Sequence, residues 1–187
     1  MWLGIKEDFF MPKNKIRIMT SVAMLTAFSI ILERFLPIVN TDTIRVSLGN
    51  IPIIIASIFF GPVAGVLCGV ISDITGCFLN GYPPFPVLTL APVTVGLLPG
   101  LSAFLFKKCK NVGISNIFVL SGTMLVTNTI ASVLITTAGL HLLYGTPIPA
   151  LFWQRIPAML INTAVEIAVL FLLLKNGVLF RLFGIQK

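Results

Sequence analysis

Residues 48–79, "LGNIPIIIASIFFGPVAGVLCGVISDITGCFL", contain one charged side chain, Asp73. The "GPVAG" at 61–65 leaves room for a turn and nothing longer. The stretch therefore reads as two apolar helices, a short one over about 48–60 and a second over about 62–79, back to back across a tight connection. Apolar runs of this density, with no polar face to meet water, belong in lipid.

The rest of the chain repeats the pattern. A first helix over 18–36 stops before Pro37, and "PIVNTDTIRVS" (37–47) is a polar connection. After the proline-rich "NGYPPFP" (80–86) a fourth helix covers 87–106 and ends at "KKCKN"; a fifth covers 114–140, and "YGTPIP" leads into a sixth over 150–174. Composition agrees: 57% hydrophobic residues, 10% charged and a mean hydropathy of +1.03 lie outside the range of soluble domains. With about 17 to 25 residues per span, 187 residues hold six spans and no soluble domain beside them. The expectation is an all-α membrane protein of six transmembrane helices: a tail at 1–17, a membrane domain at 18–175 and a tail at 176–187.

Lysine and arginine set the orientation, since cytoplasmic segments near the membrane retain positive charge. With both termini cytoplasmic, Lys6, Lys13, Lys15, Arg17, Lys107, Lys108, Lys110, Lys175, Arg181 and Lys187 all fall inside. Arg34, Arg45 and Arg155 fall on the outer side. The net charge of +7 thus reflects topology, and no basic helix with interleaved aromatics points to nucleic acid. We expect no signal peptide, because the first long apolar run lacks a small-residue cleavage site. Met1 and Met11 are both possible starts.

The outer polar residues need an explanation, because ionised groups at membrane depth are costly unless paired, hydrogen-bonded or watered. Asp73 must have a partner: a salt bridge to Arg45 or Arg155, or a ligand's N–H groups. Asn50, ahead of Pro52, suits a helix start whose free amides face a cavity, or a simple cap. Arg45 is a ligand contact or a loop anchor. Arg155, in "FWQRIPAML", can fork onto a carboxylate with two parallel hydrogen bonds. Arg34 is either a snorkelling side chain or a ligand contact, and beside Glu33 it is not expected to pair with that neighbour. Glu166, some 16 Å of helix beyond Arg155 at ~1.5 Å per residue, is expected to lie below the pocket, with a structural partner or in contact with another subunit. Tyr82, Phe85 and Trp153 supply flat faces for an aromatic ring, or belong to an interfacial belt. Ala23 and Ala27, at i and i+4 in "AMLTA", let another helix approach closely.

The chemistry of an enzyme is missing. The sequence has no GxxxxGK[ST] phosphate cradle, no HExxH and no GxSxG. His141 stands alone, and Cys68, Cys77 and Cys109 lack CxxC spacing. No catalytic residue, metal site or cofactor is expected. Uphill movement of a ligand would need an ion gradient or another protein.

The run "RVSLGNIPIIIASIFFGPVAGVLCGVISDITG" (45–76) resembles the substrate-binding S components of energy-coupling factor (ECF) vitamin transporters, and among them the folate family. The likeness continues through "FPVLTLAPVTVGLLPGL" (85–101), "ITTAGLHLLYGTPI" (135–148) and "QRIPAMLINTAVEI" (154–167). It implies a subunit of the bacterial plasma membrane that captures a vitamin, with folate the best fit, near its outer face. Delivery inward would rely on a transmembrane coupling subunit and two ATPases. On this resemblance Arg45, Asn50, Asp73 and Arg155 are the ligand positions, and Ala23 and Ala27 contact the coupling subunit. The alternatives are an S component for another carboxylated vitamin, such as pantothenate, and a stand-alone proton-coupled carrier using Asp73 and Glu166. Arg155→Ala is expected to weaken vitamin binding far more than Lys108→Ala; equal affinities in the two purified variants would remove Arg155 from the site.

Overall fold

A computed structural model describes residues 15–35, 39–40, 45–46, 48–81, 83–107, 114–145 and 147–175. Its helices are α1 (Lys15–Arg34), α2 (Asn50–Phe60), α3 (Pro62–Leu79), α4 (Pro86–Lys107), α5 (Ile114–Asn128), α6 (Thr136–Tyr144) and α7 (Ile148–Lys175). A π-helical segment, Thr129–Ile135, joins α5 to α6, so the two form one rod and the described helices make six rods. The four longest apolar windows, Pro62–Leu79, Pro86–Leu105, Ser121–Leu143 and Ile148–Leu172, are each long enough to cross a membrane. The protein is a multi-pass membrane protein.

The exception is α2. Its 11 residues reach about 16 Å at ~1.5 Å per residue, roughly half of a hydrocarbon core about 30 Å thick. It is also apolar all round, and such a helix belongs inside. Residues Ile51 to Ser57 are all buried, and α2 packs against α1, α3, α4 and α7. The core gathers there: Ile51, Ile53, Ile54, Ile55 and Ala56 with Cys68, Val95, Met124, Ala131 and Leu170.

Small residues let α2, α3 and α4 close on one another. A Cβ on Gly65 would stand 2.5 Å from the Gly96 carbonyl oxygen and 2.5 Å from Ser57 Cβ; one on Gly69 would stand 2.7 Å from the Pro92 carbonyl. Ser57 Oγ donates to the Gly96 carbonyl across the same seam. At the α2–α3 junction Gly61 sits at φ +96°, and Pro62 opens α3 at its first position, where no helical N–H is lost.

Before α2 the chain does not form a plain polar loop. Val39–Asn40 (β1) and Arg45–Val46 (β2) pair antiparallel, Val39 opposite Val46 and Asn40 opposite Arg45. β2 lies against α7. The backbone then crosses to α1, where Ser29 Oγ donates to the Gly49 carbonyl at 2.7 Å. Gly49 packs so closely on Glu33 that a Cβ there would stand 2.6 Å from Glu33 Cβ. α2 then opens at Asn50, with Gly49 as its N-cap. Alternation along the chain puts this connection, residues 80–85 and residues 145–147 at one end, here called the hairpin end.

Gly96→Ala should lower the thermal unfolding midpoint in detergent, by about 1–3 kcal/mol of stability, because its methyl meets the Gly65 backbone. An unchanged midpoint would mean the α3–α4 seam can open freely.

Candidate functional site

One face of α7 carries the polar interior. Arg155, Met159, Thr163 and Glu166 follow at i, i+4, i+8 and i+11, which keeps them on one stripe of a helix of 3.6 residues per turn. Glu166 is 2% exposed. Its Oε1 accepts from Asn50 Nδ2 at 2.9 Å and its Oε2 from Asn128 Nδ2 at 2.6 Å. Asn128 also reaches Thr163 Oγ1 at 2.9 Å. Among the described residues no cation pairs with Glu166. Two neutral amides hold this carboxylate and join α2, α5 and α7 at one point.

Asn128 is the last residue of α5 before the π segment. There the backbone ladder widens by one residue, as in Thr136 N–H to the Ala131 carbonyl, and such segments are frequent at functional sites. Further toward the hairpin end, Arg155 Nη1 donates to the Ser132 carbonyl of the π segment at 3.3 Å. Arg155 Nε is buried without a partner, and so is Thr137 Oγ1 on the first turn of α6. A guanidinium spent on one backbone carbonyl keeps most of its donors for something else. Between α6 and α7 lies a cleft of about 250 Å³ lined by Val133, Leu134, Thr137, Ala138, Ile148 and Phe152. Leu134, Ile148 and Phe152 are exposed, so this cleft opens to the outside of the bundle. Apart from Thr137 it offers nothing to a charged ligand.

A second polar group joins α1 to α3. Ser29 and Ser72 share a hydrogen bond at 3.0 Å, and the Arg34 side chain lies over Gly76. Asp73 is half-buried, its Oδ2 without a partner, and no described cation pairs with it. Asp73 follows Ser72 and precedes Gly76 by three residues, and those two are the positions of α3 that meet α1, while Arg155 sits on the α6–α7 side.

Two expectations need correction. Arg34 and Glu33 do approach, at 3.9 Å between Nη2 and Oε1; Glu33 is held by Gly49 and Arg34 folds back over Gly76, so both lean into one space. Glu166 does not lie beneath the site apart from Asn50, but is bonded to it, because α2 begins at mid-depth. Arg45 is placed in β2 beside α7, the helix of Arg155; its side chain, like all of Tyr82, lies outside the described residues. Phe85 is half-buried at the start of α4, and Trp153 is 76% exposed, away from the polar stripe. Ala23 and Ala27 are exposed on α1 with Met24 and Phe28, so no described helix covers them. Sequence reading passed over Asn128, Thr137 and Thr163; an amide in the middle of the apolar run 121–143 was the available signal.

The model of the family described as the ECF-type riboflavin transporter S component matches residues 13–178. The chain belongs to this family. Among curated proteins this S component is similar to the folate transporter FolT of Clostridium novyi (strain NT), 27% identical over 146 residues that cover 76% of this chain and 79% of the relative. Among solved structures it superposes on FolT bound with folic acid at a TM-score of 0.70 and 19% identity, over 88% of this chain and 95% of that one. It also matches an S component of a bacterial ECF transporter at a TM-score of 0.68, 24% identity and 90% and 98% coverage. A third match is ThiT from Listeria monocytogenes, at 0.66, 21%, and 91% and 99%. The S-component fold therefore spans nearly the whole chain.

Asn128→Leu should cost the S component about 1.5–3 kcal/mol, the usual loss when a hydrogen bond to a charged group goes, read as a lower unfolding midpoint in detergent. An unaltered midpoint would mean Glu166 does not depend on that amide.

Proposed function

We propose that this S component captures folate at the outer face of a bacterial plasma membrane and delivers it inward with a transmembrane coupling subunit and two ATPases. The hairpin end is then extracellular and both termini are cytoplasmic, as the distribution of lysine and arginine requires. The chain carries no phosphate cradle of its own, so ATP hydrolysis falls to the partners. The exposed small-residue step at Ala23 and Ala27 is the surface on which the coupling subunit docks.

The observation that carries the vitamin assignment is Arg155. It lies inside the bundle toward the hairpin end, bonded to one backbone carbonyl and to no described carboxylate, and its fork suits an anionic carboxylate. The family description names riboflavin and the curated relative names folate. Of these, folate has carboxylates, on its glutamate tail, and riboflavin has none. Arg45, Asn50 and Asp73 are the further polar contacts of this reading, and Phe85 and Tyr82 its aromatic ones.

Folic acid should raise the unfolding midpoint of the purified protein, and riboflavin, thiamine and pantothenate should not. Vesicles should accumulate radiolabelled folic acid when the coupling subunit and ATPases are present with internal ATP. Stabilisation by pantothenate instead would reassign the vitamin. Uptake by this chain alone, abolished by an uncoupler, would overturn the dependence on ATPases.

A further inference from the structure

Glu166 is a carboxylate set in the interior, 2% exposed. A carboxylate at this depth is desolvated, and no described cation offsets it. The positions around it on α7, Met159, Ile167 and Leu170, are apolar and join the packing. An apolar residue at 166 would serve packing at least as well, since buried charges replaced by well-packed hydrophobes commonly cost nothing. The carboxylate is nonetheless aimed: Asn50 fixes Oε1 and Asn128 fixes Oε2. A carboxylate offers about four acceptor positions. One on each oxygen is taken, leaving one acceptor on each. Asn50, one of the carboxylate's two partners, stays partly exposed, while Asn128 and Thr163 are buried.

Such a pair matches two adjacent N–H donors on a planar heterocycle. Resting on the folate reading, we propose that Glu166 is a specificity-determining residue: it takes the ring N–H and 2-amino N–H of a 2-amino-4-oxopyrimidine edge, and rejects an edge bearing carbonyl oxygens. The pterin head of folic acid has that donor pair. The corresponding edge of riboflavin sets a carbonyl on either side of its one N–H, and those oxygens would face the carboxylate. The same stripe fixes the ligand's direction. Arg155 lies about 16 Å along α7 from Glu166, at ~1.5 Å per residue, so a molecule with a donor head and an anionic tail meets both when laid along the helix, head inward.

The test uses the full chain in detergent and competes folic acid with two analogues, pterin-6-carboxylate and lumazine-6-carboxylate, which differ in a 2-amino or 2-oxo group. Wild type should prefer the pterin by more than about tenfold, as a site built to bond a substrate N–H rejects the analogue lacking it. Glu166→Gln, which can both donate and accept, should bring the ratio to within about threefold. Glu166→Asp, which keeps the carboxylate, should retain the pterin preference. An unchanged ratio in Glu166→Gln overturns the role, since loss of packing alone would weaken both analogues equally. Should the variants not fold, equal wild-type affinity for the two analogues overturns it without them. A wild-type protein that ignores folic acid sinks the vitamin assignment and this role together; folic acid binding without head-group discrimination sinks this role alone.

Discussion

The bundle is organised around one buried carboxylate. Glu166 sits at a depth where water is scarce and where, among the described residues, no guanidinium or ammonium meets it. A carboxylate in that position is tolerated when hydrogen bonds are delivered to it. Asn50 and Asn128 deliver them from two other rods. Satisfying this one side chain thus dictates that α2 begin at mid-depth, that α5 end its regular winding beside α7, and that the three meet. The alignment of Arg155 on the same face then follows from helix periodicity.

Around that point the molecule divides its labour. The α2–α4 side is held by direct backbone approach at Gly65, Gly69 and Gly96, where little room remains for adjustment. The α5–α7 side is held by side chains and carries an irregular segment in the middle of a rod. Lipid is no worse a neighbour for leucine than another helix is, so contacts of the first kind, made through small residues, supply most of the cohesion a membrane bundle has. The polar contacts of the second kind set geometry.

The fold was legible because hydropathy reports it directly: the Ile51–Leu79 region has two apolar runs and one possible turn, and no soluble arrangement hides both. The S-component resemblance was carried by a contiguous motif. The depth of Asn50 was not legible. It depends on the preceding connection folding into the bundle, with Ser29 holding the Gly49 carbonyl, a contact between residues remote in sequence. Asn50 and Glu166, 116 residues apart in sequence, touch across the bundle. Arg34 and Glu33 were read as diverging because helical neighbours point apart. Gly49 and Gly76 draw the two side chains back together, a tertiary effect that local geometry does not contain. Asn128 was passed over because a lone amide in an apolar run announces no partner.

The widened turns at Thr129–Ile135 have a consequence for how the fifth rod is interpreted. Each π turn inserts residue count without a matching advance of the α-helical wheel, so positions before and after it fall in different angular phases. A single helical projection of 114–144 would set Thr137 opposite the buried Asn128, whereas Thr137 is itself buried. Periodic scans along this rod, whether by cysteine labelling or by substitution, should be fitted as two registers that break just after Asn128.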